Sequence, residues 1–171
     1  MFSTKNSCLT SVLRCYLNTI HNLINMAIHI TSRTKSLVVR PATKDELRSL
    51  IEQELYHQGL DVDLNFIDTS KITDMSLLFN GISIRNIKID EWNTSNVKNM
   101  SGMFSNCWEF SCDLSSWNVS NVTDMSQMFY MCENFSSDLS GWNVSKNVDR
   151  LLMFVACYKM AEEYYPQFKK S

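Results

Sequence analysis

Cys107, Cys132 and Cys157 stand 25 residues apart, and Asp74, Asn99, Asp124 and Asp149 repeat at the same interval. Thiols can hold zinc or carry redox chemistry, and a row of carboxylates and amides can hold calcium. Zinc sites draw on paired CxxC spacings or clustered histidines, whereas one thiol every 25 residues supplies neither. These cysteines are therefore read as buried, inert thiols, cysteine being among the most buried residue types. The acidic or amide column is read as helix N-capping, which places Asp or Asn before a helix without any ion. His21, His29 and His57 lie outside the repeating register, and no Ser, Cys or Asp accompanies them in a pattern of its own. A nucleophilic triad is not expected. The chain is read as a non-enzyme with no catalytic residue, no cofactor and no metal.

The elements that carry these columns are set by the repeat itself. Phe79, Phe104, Phe129 and Phe154 form one column; Ile67, Trp92, Trp117 and Trp142 form a second; Leu64, Ile89, Leu114 and Leu139 a third. Leu78, Met103, Met128 and Met153 follow the same step, as do Ser70, Ser95, Ser120 and Ser145. In the third copy, DLSSWNVSNVTDMSQMFYMCENFSS, residues Leu114 to Val119 read as a short strand and Asn118 to Asn121 as a turn. Met125, Met128, Phe129 and Cys132 then recur at the spacing of one helical face, with Thr123 or Asp124 as cap. A unit of one strand and about two helical turns cannot bury its own apolar side, so copies must stack. The fold expected is α/β: a leucine-rich-repeat-like right-handed solenoid of four 25-residue repeats, each with a short parallel strand and a short helix, behind a helical N-terminal cap.

The phrases WNVSNVTDMSQMF at Trp117 to Phe129, WNTSNVKNMSGMF at Trp92 to Phe104 and DTSKITDMSLLF at Asp68 to Phe79 resemble the BspA-like surface-protein repeats, in the branch called DUF285 or mycoplasma-lipoprotein-type. The resemblance covers about residues 36 to 160, RPATKDELRSLI looking like the family's N-terminal cap. It implies a bacterial or protist surface protein, attachment to host proteins or other cells, and no shared catalytic residues. The fourth copy departs from the pattern. Arg150 replaces the methionine of Met75, Met100 and Met125, and Asn147 takes an apolar position that Val148 follows one place late. This is read as a terminal rung with a solvent-facing side.

The chain divides into an N-terminal extension over 1–34, an amphipathic helix or partly disordered; a cap over 35–63, strand plus helix; the repeats over 64–160; and a C-terminal cap or tail over 161–171. Thr43 and Glu46 have capping-box spacing, Leu47, Leu50, Ile51 and Leu55 form a stripe, and Gly59 suits the stop. Translation starts at Met1 or at Met26, and the chain is whole or a truncated remnant of a longer surface protein. No stretch reads as a clear signal peptide, lipidation site or transmembrane span, so the cell-surface or secreted location rests on the resemblance alone.

With 16 basic and 18 acidic residues the formal charge is −2, which gives no electrostatic grip on nucleic acid. The partner expected is a protein or a glycan. Glu91, Ser115, Ser116, Ser140 and Gly141, flanking the strand columns, are the candidate contact positions. The alternative is a structural unit that associates end to end through imperfectly capped rungs.

Overall fold

The structure is a computed structural model in which residues 38–168 are described; the expected extension over 1–34 lies outside them. The one α-helix among the described residues, α1, is Lys44–Gln58. The Thr43 hydroxyl accepts from the Glu46 N–H at 3.2 Å, and the Glu46 carboxylate accepts from the Ala42 N–H at 2.7 Å. At the other end Gly59, at φ 83°, donates to the Leu55 carbonyl; a left-handed backbone of this kind suits glycine. Leu47 and Ile51 are fully buried. Just before α1, Val39 forms an isolated parallel bridge with Ile67.

The repeats stack in register, as the columns require, but their backbone is not the expected one. Among the described residues there is no strand, and no helix lies inside the four copies; the only other helical segment is a 3-10 turn at Glu162–Tyr164. The α/β solenoid of parallel strands and helices is therefore corrected to a strand-poor stack of turns. Where a strand was expected over Leu114 to Val119, the Trp117 N–H folds back onto the Leu114 carbonyl at 3.1 Å, and that turn ends any extension. What remains of a ladder is single-residue parallel bridges, Asp74 to Asn99, Asn99 to Asp124 and Asp124 to Asp149.

The expected helix is replaced for a different reason. Gln127 and Met131 have φ of 55° and 58°, and the same two columns are left-handed in the other copies, at Leu77, Gly102 and Leu152 and at Gly81, Asn106 and Ala156. Left-handed residues four apart cannot propagate an α-helix. Backbone donors instead alternate. Met125, Gln127, Phe129 and Met131 donate to the carbonyls of Asp149, Leu151, Met153 and Val155 in the next copy, while Met128, Tyr130 and Cys132 each close a turn three residues back. An isolated helix of two turns is unstable in water, and stacking gives half of its N–H groups partners elsewhere.

The interior is a set of rows. Phe79, Phe104, Phe129 and Phe154 stack with centroids 5.3, 5.6 and 5.6 Å apart. A second row that the sequence columns did not include, Phe110 and Phe135 at 5.6 Å, lies against them, 4.2 Å from Phe104 and 4.1 Å from Phe129. Offset aromatic pairs at such separations contribute about 0.5–1.5 kcal/mol each beyond the area they bury. The fourth copy absorbs its late residue within one turn. The Val148 N–H donates to the Ser145 carbonyl, the Asn147 N–H to the Ser145 hydroxyl, and Asp149 is already in register with Asp124.

Candidate functional site

Each chemically able column is bound into the fold. The Cys107, Cys132 and Cys157 thiols donate to the carbonyls of Phe79, Phe104 and Phe129, 28 residues back, at 3.0, 2.9 and 2.9 Å. Burial pushes the Cys107 thiol up to about 12 and Cys157 up to about 11, and raises Cys132 further. A thiol held protonated is a poor nucleophile and a poor metal ligand. The three ladder tryptophans repeat this bond: the indole N–H of Trp92, Trp117 and Trp142 donates to Leu64, Ile89 and Leu114, also 28 residues back.

The acidic column caps, though not a helix. Asp74, Asn99 and Asp124 accept from the N–H two residues on, at Ser76, Ser101 and Ser126, and Asp149 does the same for Leu151. The Ser ladder is likewise local: Asn93 and Asn118 accept both the N–H and the hydroxyl of Ser95 and Ser120. Bonds between copies come from neighbouring residues, with Thr69 and Thr94 donating to the Asn93 and Asn118 carbonyls. Among the described residues no three His, Cys, Asp or Glu side chains gather where they could hold an ion. His57 lies on α1 with its ring edge-on to Tyr56 at 5.2 Å.

Glu91, Ser115, Ser116, Ser140 and Gly141 all fall on one turn that recurs from copy to copy. All but half-buried Ser140 are exposed. Much of their polarity is already used. The N–H groups of Ser115 and Ser140 donate to Asp113 and Asp138, the Ser116 hydroxyl donates to the Asp90 carbonyl at 2.7 Å, and the Glu91 N–H donates to Asn65. Hydrogen bonds from the Ser115 N–H and hydroxyl hold the Asp113 carboxyl, and hydrogen bonds from the Ser140 hydroxyl and N–H the Asp138 carboxyl, below the usual range.

A different feature stands free. Trp108 is 59% exposed, while Trp92, Trp117 and Trp142 are buried. It borders a shallow depression of about 270 Å³ with Gly81, Ser83, Asn106 and Glu109, and Glu109 is paired with Arg85 at 3.2 Å. The sequence held one signal for it: Trp108 is the one of four tryptophans outside the Trp92, Trp117, Trp142 column.

Residues 50–167 match a family described as "Mycoplasma protein of unknown function, DUF285". The chain belongs to the DUF285 family. The matched span takes in the end of α1, all four copies and the 3-10 turn, so in this DUF285 chain the repeat and its flanks form one recognisable stretch. Comparison with curated proteins and with solved structures returns no match. Among the described residues no helix is long and apolar enough to cross a membrane.

Proposed function

We propose that this DUF285 chain is a non-enzymatic binding module for a protein or a glycan, engaging its partner through the surface around Trp108. The observation that carries this reading is the exposure of that indole beside an amide and a carboxylate, Asn106 and Glu109. A large aromatic face with polar groups at its edge suits apolar side chains and the C–H faces of sugars alike, and tryptophan is enriched among residues that dominate binding energy. The non-catalytic part is supported by the thiols and carboxylates described above, whose lone pairs and protons serve the backbone. Adhesion at a cell surface is the finer form of this proposal, carried by the resemblance to BspA-like proteins.

The test is a screen of immobilised glycans and extracellular-matrix proteins with the full chain and with Trp108→Ala. At least one probe is expected to bind, with a loss of about tenfold or more in the variant, the size of a hot-spot residue, and an unchanged Tm. Binding to no probe, or equal binding by the variant, overturns the proposal. A structural role in assembly is the second reading, and the last copy favours it.

A further inference from the structure

Three interfaces between copies are built alike. Four N–H groups of one copy, at every second residue, donate to four carbonyls of the next: Met75, Leu77, Phe79 and Gly81 to Asn99, Ser101, Met103 and Ser105; Met100, Gly102, Phe104 and Asn106 to Asp124, Ser126, Met128 and Tyr130; and the third copy to the fourth as described above. The corresponding groups of the fourth copy are the N–H groups of Arg150, Leu152, Phe154 and Ala156, and among the described residues no acceptor faces them. Their partners on the pattern would be carbonyls one unit further along. The tail covers only part of this end. Tyr164 accepts from Leu139, Tyr165 packs on Phe154 at 4.7 Å, and the Arg150 guanidinium lies 4.0 Å over Phe168.

The side chains on this end point to an occupant as well. A terminal copy that faces water should be more polar than the internal ones; Arg150 in place of methionine fits that expectation, but two neighbouring columns change the other way. Here Ser76, Ser101 and Ser126 give way to Leu151, which is 64% exposed, and Asn80, Ser105 and Tyr130 give way to Val155 at 44%. Leu152 is exposed beside them, and Tyr158 is 77% exposed. Open donors and an apolar surface together describe an interface that continues the three already formed.

We propose that this end docks a further unit of the same repeat type supplied by another polypeptide, its alternate carbonyls accepting from Arg150, Leu152, Phe154 and Ala156 and its apolar residues covering Leu151 and Val155. A second copy of this chain does not fit. Its complementary carbonyls, those of Asp74, Ser76, Leu78 and Asn80, lie beside α1, whose Lys44 donates to the Asp74 carboxylate and the Ser76 hydroxyl and whose Arg48 donates to the intervening Leu77 carbonyl at 3.0 Å. Two fourth copies set face to face would oppose donors to donors.

Amide hydrogen exchange on the full chain is the first test, since it needs no partner. The amides of residues 150, 152, 154 and 156 are expected to exchange on the order of a hundredfold faster than those of 125, 127, 129 and 131, the difference between open and bonded backbone. Equal protection overturns the proposal. The second test titrates a labelled synthetic peptide with the sequence of residues 113–137. Saturable binding is expected, with slowed exchange at the four amides, a loss of about tenfold on Leu151→Glu, and no binding of a scrambled peptide. Absence of binding, or binding unchanged by Leu151→Glu, overturns it. So does concentration-dependent growth of the chain alone, in light scattering, that Leu151→Glu abolishes, because the occupant is then a second copy.

Discussion

Two segments of this chain carry the same apolar stripe and take different backbones. In α1, Leu47, Leu50, Ile51 and Leu55 lie along a regular helix, Leu50 and Leu55 half-buried; in the third copy, Met125, Met128, Phe129 and Cys132 are fully buried at nearly the same spacing, yet lie along a chain of turns. Apolar spacing therefore reports which side chains share a face. It does not report where the backbone N–H groups find their acceptors. In α1 the acceptors lie four residues back; in the copies, every second one lies 24 residues ahead. That choice belongs to the stack, because only a neighbour in register can offer the alternative.

The strongest way to break the comparison is to remove a shared ring. Phe104 touches Phe79, Phe110, Trp117 and Phe129, and Phe104→Ala is expected to cost about 3–5 kcal/mol. Urea unfolding should then show all the copies destabilised together; a loss under about 1 kcal/mol would mean that the rows are not the core.

A second large effect separates the copies from α1 by pH. The buried thiols of Cys107 and Cys157 have raised pKa values, about 12 and about 11 against the usual 9.0. A raised folded value means that the unfolded chain loses its proton first. The stability they contribute is complete below pH 9 and drains away between pH 9 and about 12. The Tm should fall across that window, and less steeply in Cys107→Ala; an equally steep fall in the variant would remove the thiol from the explanation. In native protein, alkylation mapped by mass spectrometry should reach half-buried Cys112 before Cys107, Cys132 or Cys157.

Smaller changes sharpen the contrast. Thr43→Ala removes the cap of α1 and should cost about 1 kcal/mol, read as lower helicity and a lower Tm; no change would mean that packing alone sets the helix start. The smallest effect is a reversal of sign. Gln53→Gly, inside α1, should destabilise by about 0.5–1 kcal/mol. Gln127→Gly should stabilise by up to about 1 kcal/mol, since Gln127 already sits at φ 55°, where a side chain is strained. Destabilisation by both would show that the left-handed column is not strained.

Legibility of the fold in the sequence held where the information was local or strictly periodic. The start and stop of α1 follow from Thr43, Glu46 and Gly59, and the Phe, Trp and Cys rows follow from the 25-residue step. It failed where one pattern serves two backbones. Left-handed positions announce themselves by glycine, and here only Gly81 and Gly102 do so; Leu77, Asn106, Gln127, Met131, Leu152 and Ala156 hold the same conformation behind ordinary side chains. The Phe110 and Phe135 row was hidden because Arg85 and Met160 occupy its outer places. Of the candidate site, the exposed turns were legible as positions, but not the consumption of their polar groups by their own backbone. Trp108 was legible only as an exception to a column.

The reach of the thiol and indole bonds, 28 residues back in the second, third and fourth copies, has a consequence for how such a chain can change over generations. Losing or gaining one residue inside a copy shifts the donors that reach back across it off their carbonyls, so the length of a copy is tightly held. Duplicating or deleting a whole copy leaves each bond with an equivalent partner, so their number is free to drift.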